Sequence, residues 1–205
     1  MSEEKKISVT VLLPAGRLPL DIMAAAHELA VKYDLGIYCS LAQNLRLMNV
    51  PESLVPEVKA ALAPLGADFK GPGKFPLPRV CVGKPHCNLG LVDIEALNRV
   101  ILARFKDRPK TKPKFKIALA ACPLCCSGVG LTDIGVHATK KGYEVYVGGK
   151  GGPNPKVGRR IKRGATEAEV VDIIETLVEF HDRKTGKKQR MWKLLEDPEF
   201  PFAEV

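Results

Sequence analysis

The chain has 205 residues, of which 45% are hydrophobic and 27% charged, with 32 lysines and arginines against 23 aspartates and glutamates and a net charge of +9. This composition predicts a globular protein rather than a disordered chain, and no run of about 20 apolar residues is present that could span a bilayer. The positive charge favours anionic partners, but aromatic residues make up only 6% of the chain and no basic–aromatic pattern indicates a nucleic-acid surface.

The first residues, MSEEKKISVTVLLP, place an acidic pair before the lysines and hold only a short apolar stretch. Because a secretory leader needs an apolar core followed by a cleavage region, this start predicts a short tail and then a strand. We therefore expect a cytoplasmic protein that binds neither nucleic acid nor membrane. Thiols stay reduced in that compartment, so clustered cysteines favour metal or redox chemistry over structural disulfides.

The first part of the chain predicts an α+β unit in the order strand, helix, strand, strand, helix. Residues 7–13 alternate as a strand does, and GIYCSL and NLRLMNV predict two further strands. A helix is predicted over 18–33, with one apolar stripe formed by Leu20, Met23, Ala24, His27, Ala30 and Val31. A second helix is predicted to begin at Pro51, with Val55, Val58, Leu62 and Leu65 at helical spacing.

A Gly/Pro-rich stretch at 70–78, KGPGKFPLP, predicts a boundary between two domains, 1–72 and 73–205. After it, residues 91–105 predict an amphipathic helix with Leu91, Ile94, Leu97, Ile101 and Phe105 inward. A basic loop at 107–114 and a buried strand at 115–122 then lead into a group of cysteines. The remaining predicted elements are the strands IGVHAT and YEVYVGG, a glycine-rich basic loop at 148–160, a helix at 167–181 and a terminal helix in KKQRMWKLLED.

Five of the six cysteines fall in two tight groups, CVGKPHC at 81–87 and ACPLCCSG at 121–128. In the first group Cys81 and Cys87 are spaced C-x5-C, and in the second group Cys122 and Cys126 are spaced C-x3-C. Four thiolates from two loops suit a cubane [4Fe–4S] cluster, whereas a four-cysteine zinc site usually has closer pairs. Two alternatives stay open. CPLC at 122–125 is also a C-x-x-C dithiol motif, and a cysteine such as Cys39 or Cys125 can be a small buried hydrophobe.

Three stretches of the second half read CVGKPHCNLGLVDIEAL, KFKIALAACPLCCSGVGLTDIGV and, after them, VGGKGG with VGRR. They resemble the haem-binding half of the nitrite and sulfite reductases, and GRLPLDIMAAAHELA with SLAQNLRLMNVPE resembles the ferredoxin-like half domain that precedes it there. The resemblance covers about residues 7–195 and points to the small assimilatory-type sulfite reductases of anaerobic prokaryotes. It implies an α+β fold, a ferredoxin-like half domain followed by an α/β domain that binds sirohaem and a [4Fe–4S] cluster.

The same resemblance implies cluster ligands and an activity. The ligands would be Cys81, Cys87, Cys122 and Cys126, with Cys126 bridging the cluster to the sirohaem iron. The activity would be six-electron reduction of sulfite to sulfide, with nitrite reduction to ammonia as the sister reaction. Basic side chains would pair with sirohaem carboxylates, bind the oxyanion and supply protons.

The candidate residues follow from that chemistry. Those for substrate and protons are Arg17, Arg46, Lys84, Lys114 and Lys116. Those for the sirohaem, besides Cys126, are Gln43, Asn44, Lys150, Arg159 and Arg160. His86 and His137 flank the motifs and are interpreted as structural.

Several features depart from the family pattern. Larger members contain two copies of this module and this sequence shows one, so either one module suffices or two chains pair as a homodimer. Ala42 stands where many members have arginine, and Leu124 with Cys125 stands where many have asparagine-like residues. No G-x-G-x-x-G or flavin motif is present, so we expect electrons from a separate acidic protein of the ferredoxin type.

Two other functions stay open, the first because of the single module and Ala42. One is a non-catalytic electron carrier that holds an iron–sulfur cluster or a tetrapyrrole. The other is a thiol redox protein that uses CPLC.

Overall fold

The computed structural model describes residues 4–109, 111, 115–186 and 189–205, and the chain divides into two units between Gly71 and Pro72. The strands of the first unit are β1 (Lys6–Leu12), β2 (Gly36–Cys39), β3 (Leu45–Pro51) and β4 (Asp68–Phe69); those of the second are β5 (Arg79–Val80), β6 (Ile117–Ala120), β7 (Ile134–Thr139), β8 (Gly142–Val147) and β9 (Arg159–Ala165). The helices are α1 (Leu20–Tyr33), α2 (Val55–Leu62), α3 (Ile94–Phe105) and α4 (Glu167–Lys184). None of the described helices combines the length and the apolar composition needed to cross a bilayer.

The first unit is an antiparallel sheet in the order β2-β3-β1-β4 with two helices packed against it. Burial alternates along β3, where Leu45, Leu47 and Val50 are buried and Arg46 is half-buried. The buried face forms one core with Ile22, Ala26 and Leu29 of α1 and Val58 and Leu62 of α2. The α+β class and the order of elements up to α2 agree with the sequence prediction, which did not contain the short strand β4.

The stripe predicted for α1 is wrong. Its members Leu20, Met23 and Val31 are 76%, 49% and 71% exposed, while Ile22, Ala26 and Leu29 are the buried positions. Helix α1 is apolar on most of its surface, so its spacing fits more than one stripe, and the packing of the sheet decides which one is inside.

The second unit is a mixed sheet in the order β5-β6-β7-β8-β9, parallel from β5 to β7 and antiparallel from β7 to β9. Helix α3 begins at Asp93, whose carboxylate accepts hydrogen bonds from the Glu95 and Ala96 N–H groups at 3.0 and 3.3 Å. Of the five inward positions predicted for this helix, Ile94, Leu97, Ile101 and Phe105 are buried. The predicted start at residue 91 is wrong, because Leu91 is half-buried and precedes the helix. Every residue of β6 is buried as well.

This unit contains one strand, β5, that the sequence did not predict, and the prediction fails at two further places. Arg159 and Arg160, assigned to a loop, begin strand β9. The predicted terminal helix is wrong over residues 189–197, where the only helical element is a 3-10 turn at Met191–Lys193; residues 187–188 lie outside the described part.

Buried Asp133 ties the terminal segment to the sheet. Its carboxylate accepts from Arg190 Nε at 2.7 Å, from the Met191 N–H at 3.0 Å and from the Lys116 N–H at 3.0 Å.

The parallel pairing of β5 with β6 positions the two cysteine groups. Val80 pairs with Leu119, and the Cys81 N–H continues the ladder to the Leu119 carbonyl at 3.1 Å. Cys81 therefore follows β5, and Cys122 follows β6, at the same carboxyl-terminal edge of the sheet. This edge is where open sheets with parallel strands commonly bind ligands.

Candidate functional site

The two cysteine loops are joined by backbone hydrogen bonds. Cys81 Sγ accepts the Ala121 N–H at 3.1 Å, and the Leu91 N–H donates to the Ala121 carbonyl at 2.9 Å. The loop that carries Cys87 closes on itself at Gly90, where a Cβ atom would lie 2.9 Å from the Lys84 nitrogen. The Gly90 N–H donates to the Cys87 carbonyl at 3.0 Å. The chain thus brings the C-x5-C loop against the start of the second group.

All six cysteines are free thiols: Cys122 is buried, Cys81, Cys87 and Cys125 are half-buried, and Cys39 and Cys126 are exposed. The interpretation of Cys39 as a buried hydrophobe is therefore wrong, because it lies on β2 at the edge of the first sheet. In the second group, burial raises the pKa of Cys125, and the charges of the Cys122, Cys126 and Cys81 thiols raise it further. Cys81 of the first group and Cys125 of the second also pack against the same small core of Ala118, Ala120 and Val129.

This donor set fits an iron–sulfur cluster. Within the described residues no three Cys, His, Asp or Glu side chains converge as ligands of a single ion. A cubane needs no such convergence, because each of its four irons takes one thiolate. Free cysteines on two adjoining loops, one already accepting a backbone N–H, are what a cluster uses.

Cys125 is also the end of a part-buried series of polar contacts. Its Sγ lies 3.4 Å from His137 Nδ1, and His137 Nε2 lies 3.6 Å from Glu144 Oε2. The same carboxylate oxygen accepts the Tyr146 hydroxyl at 2.8 Å and Arg160 Nη1 at 3.1 Å. Burial lowers the pKa of His137, while the Glu144 charge opposes that effect and the Arg160 charge adds to it. His137 is thus held neutral between a thiol and a carboxylate, consistent with a structural role.

Sequence reasoning missed Arg79. It lies on β5 opposite Ala118, and a Cβ on Gly128 would come within 3.3 Å of its Nη2 atom. Its Nε is buried without a hydrogen-bond partner, and so is Ser127 Oγ; burial also lowers the pKa of Arg79. The one signal in the sequence was its position two residues before Cys81, which puts both side chains on the same face of the strand.

Comparison with known proteins decides the family. Residues 77–198 match the family model of the nitrite and sulphite reductase 4Fe-4S domain, and residues 1–65 match that of the nitrite/sulfite reductase ferredoxin-like half domain. The chain belongs to the nitrite and sulphite reductase family. Membership in this family confirms the two cofactors predicted from the sequence, a [4Fe–4S] cluster and a sirohaem.

Relatives named for sulfite and relatives named for nitrite both match this chain. The assimilatory-type sulfite reductase of Nitratidesulfovibrio vulgaris is 28% identical over 191 residues, which cover 89% of this chain and 84% of that protein. The nitrite reductase [NAD(P)H] of Emericella nidulans is also 28% identical, over 92% of this chain but only 17% of its own length. The coenzyme F420-dependent sulfite reductase of Methanocaldococcus jannaschii is 43% identical over 60 residues, 29% of this chain and 10% of that protein.

Solved structures support the reductase fold. Mycobacterium tuberculosis NirA protein matches with a TM-score of 0.73 at 21% identity, covering 91% of this chain and 37% of that one. Dissimilatory sulfite reductase I matches with the same TM-score of 0.73 at 13% identity, covering 90% of this chain and 65% of that one.

In the first unit, the structure brings together three of the predicted site residues. The loop before Arg17 contacts the turn that holds Gln43 and Asn44: a Cβ on Gly16 would lie 3.2 Å from the Gln43 Cβ, and Asn44 Oδ1 accepts the Leu13 N–H at 3.4 Å. Arg46 lies further along β3, in register with Thr10 and Tyr38.

The predicted lysines of the second unit are scattered. Lys84 is exposed in the loop between Cys81 and Cys87. Lys116 precedes β6 and is therefore about 16 Å along the strand from the second cysteine group, at about 3.3 Å per residue. The structure does not bring Lys116 to the cysteines, and Lys114 lies outside the described residues. Lys150 bonds through its backbone to Lys156, and both ammonium groups lie over the Trp192 ring, at 5.2 and 4.7 Å.

Arg159 and Arg160 have acidic partners within the chain. Arg159 pairs with Glu196 and, at 3.7 Å, with Glu204, while Arg160 pairs with Glu144. The cationic charge predicted for the sirohaem at these two positions is thus partly neutralised by the protein itself.

Proposed function

We propose that this chain is a sulfite reductase, which reduces sulfite to sulfide with six electrons at a sirohaem joined through Cys126 to a [4Fe–4S] cluster. The observation that carries the proposal is the meeting of the two cysteine groups at the carboxyl-terminal edge of β5 and β6, with their thiols free. The family provides the pair of cofactors. The activity and substrate are inferred for this chain from these two facts together.

Four cysteines are proposed as the cluster ligands: Cys81, Cys87, Cys122 and Cys126. Their burial supports different tasks, because Cys122 is buried whereas Cys126 is exposed. An exposed thiolate can face a second, larger cofactor outside the loop, which suits Cys126 as the bridge. The Ala121 N–H donated to Cys81 Sγ orients that ligand and stabilises its thiolate form.

The reaction adds six electrons and removes three oxygen atoms of sulfite as water, so the site must bind an oxyanion and deliver protons. A bound sirohaem would provide the iron site and the electrons for this reduction. Arg17, Arg46 and Lys84 are proposed to pair with the anion and to donate protons, since cationic side chains do both. Lys150, Arg159 and Arg160, with Gln43 and Asn44, are proposed for the sirohaem.

We favour sulfite over nitrite as the substrate because of how much of each relative's length matches this chain. The sulfite reductase of Nitratidesulfovibrio vulgaris is matched over 84% of its length, and the local stretch of 43% identity belongs to another sulfite reductase. Nitrite is the second candidate, because the nitrite reductase of Emericella nidulans is equally identical to this chain.

An acidic ferredoxin-type protein is proposed as the electron donor, and pairing of two chains as a homodimer is proposed as the way to complete the site. The net charge of +9 supports an acidic donor. A relative named ferredoxin–nitrite reductase, from Synechococcus elongatus, is 25% identical over 81% of this chain.

The deciding experiment is an anaerobic absorption spectrum of protein purified from a host that makes sirohaem, reduced and then titrated with sulfite or nitrite. We expect a Soret band and a red chlorin-type band that shift with sulfite, and sulfide as the product of turnover. A shift and turnover with nitrite alone would transfer the assignment to nitrite reduction. An iron–sulfur shoulder without tetrapyrrole bands would leave an electron carrier instead.

A further inference from the structure

Arg79 is a half-buried arginine of the second unit for which the described residues provide no anionic partner. Arg108, Arg160 and Arg190 are also half-buried, and each is paired with a carboxylate at 3.1, 3.1 and 2.7 Å. Within the described residues Arg79 makes no ion pair, and its Nε is buried without a hydrogen-bond partner. Removing part of an unpaired guanidinium from water is costly, so the position of Arg79 favours a negative group close by.

The surroundings of Arg79 show where that group lies. Its Nη2 atom is next to Gly128, where a Cβ would come within 3.3 Å, and Gly128 has the left-handed φ of 74° that favours glycine. Ser127, immediately before it, has a second buried and unpartnered polar atom, its Oγ. Two buried polar atoms without hydrogen-bond partners, Arg79 Nε and Ser127 Oγ, thus lie at the loop that follows Cys126.

Arg79 and Ser127 belong to the same chain segments as two of the proposed cluster ligands. Arg79 lies two residues before Cys81 on β5, so the two side chains project from the same face of the strand. Ser127 directly follows Cys126. A negatively charged group bound by Cys81 and Cys126 would therefore lie next to the Arg79 guanidinium and the Ser127 hydroxyl.

We propose that Arg79 is the internal counter-charge of the iron–sulfur cluster, with Ser127 as an auxiliary hydrogen-bond donor to it. This inference rests on the proposed cluster at Cys81, Cys87, Cys122 and Cys126. A cluster bound by four thiolates carries net negative charge, and its reduction potential depends on nearby charges and on hydrogen bonds to sulfur. A fixed guanidinium stabilises the reduced, more negative state and so raises the potential.

The test is an anaerobic redox titration of the cofactor-loaded protein, followed by electron paramagnetic resonance of the cluster, with iron and acid-labile sulfide measured in each variant. Arg79→Gln keeps polar donors but removes the charge, and Arg79→Lys keeps the charge. We expect the glutamine variant to shift the oxidised-to-reduced equilibrium about tenfold towards the oxidised state, roughly the effect of one nearby charge in a part-buried site. For a one-electron couple this corresponds to about 59 mV. The lysine variant should recover most of the shift.

Arg99→Gln is the matched control, since Arg99 is an exposed arginine that pairs with Asp93 on the surface of α3. It should leave the potential unchanged. An unaltered potential in Arg79→Gln at full cluster content overturns the proposal, as does an equal shift in the Arg99 control.

A defect in cluster assembly is also informative. If Arg79→Gln binds no cluster while Arg79→Lys binds it at nearly the original potential, the charge is required and the proposal stands. If both variants lose the cluster alike, Arg79 acts through packing and the proposal is wrong. Absence of a cluster from the unaltered protein would instead refute the proposed function, which separates the two failures.

Discussion

Cys125 combines an unusual backbone with an unusual position. Its φ of 53° is a left-handed conformation, which costs a residue with a Cβ about 1 kcal/mol. Its half-buried thiol contacts His137, and it lies between two proposed ligands in the sequence. We interpret it as a fifth thiol that packs under the loop and is not needed to hold the cluster.

Cys125→Gly tests that interpretation, because glycine adopts the left-handed conformation without strain. We expect this variant to keep its full content of iron and acid-labile sulfide, whereas Cys126→Ser should lose most of it. The free energy of unfolding should change by less than about 1 kcal/mol, since relief of strain offsets the lost packing. Loss of iron from Cys125→Gly would make Cys125 a ligand and reopen the assignment of Cys126.

His137 gives the stability of the protein a predictable pH dependence. Burial lowers its pKa below the ordinary value of 6.5, so below pH 6.5 the unfolded chain binds a proton that the folded protein does not. The stability contributed by neutral His137 is therefore full above pH 6.5 and is lost as the pH falls towards the folded pKa. The loss is at most about 1.4 kcal/mol per pH unit.

The measurement is the urea midpoint of anaerobic protein at pH 7.5 and pH 5.5. The variant His137→Gln keeps the residues around position 137, which are Cys125, Glu144, Tyr146 and Arg160. That variant should therefore have a smaller drop in midpoint than the unaltered protein. His86→Gln, at an exposed histidine, is the control and should retain the full drop. Equal drops in all three proteins would contradict the assignment.

At the scale of elements, helix α4 shows how a local signal defines a boundary. Thr166 Oγ1 accepts the Glu169 N–H at 3.2 Å, and the Glu169 carboxylate accepts the Thr166 N–H at 2.8 Å. This capping box satisfies two backbone donors that the helix cannot. Glu169 also pairs with Lys162 of β9 at 2.7 Å, so the cap joins the helix to the sheet. Its pKa is lowered to about 2 by these contacts.

Thr166→Ala should lower the free energy of unfolding by about 1 kcal/mol, because one cap hydrogen bond is lost at the helix start. Thr176→Ala provides the control within the same helix, since Thr176 is exposed and its hydroxyl only bonds back to the Asp172 carbonyl. Chemical denaturation followed by circular dichroism measures both. A similar effect of the two substitutions would mean that the cap contributes no more than an interior threonine.

Elements with a strong local pattern were predictable from the sequence. Helix α3 has an N-cap at Asp93 and four apolar positions at helical spacing, and all four are buried. Strand β5 has two residues and β9 is rich in arginine, so both depend on neighbours for their hydrogen bonds and were missed. The spacing of the cysteines indicated the cluster site, but Arg79 and the His137–Glu144 pair depend on strand register, which no local pattern contains.

At the scale of the whole molecule, the positive charge is only partly neutralised. Arg159, Arg160 and Lys184 are paired with carboxylates. Lys150, Lys156 and Lys193 instead surround the Trp192 ring, at 5.2, 4.7 and 5.8 Å, and none has a carboxylate partner within the described residues. Together with a net charge of +9, this distribution favours long-range attraction of an acidic protein.

The proposed acidic donor makes electron delivery sensitive to salt. Raising ionic strength from about 0.01 M to 0.15 M shortens the Debye length from about 30 Å to about 8 Å, which removes most of the steering between a basic and an acidic surface. We expect the rate of cluster reduction by an acidic ferredoxin, measured anaerobically by stopped-flow absorbance, to fall by about tenfold over this range. Reduction by one-electron-reduced methyl viologen, a small radical cation, is the control, and its rate should not fall, because a basic protein repels it and salt weakens that repulsion. Equal responses of the two reductants would show that the donor is not recognised through charge.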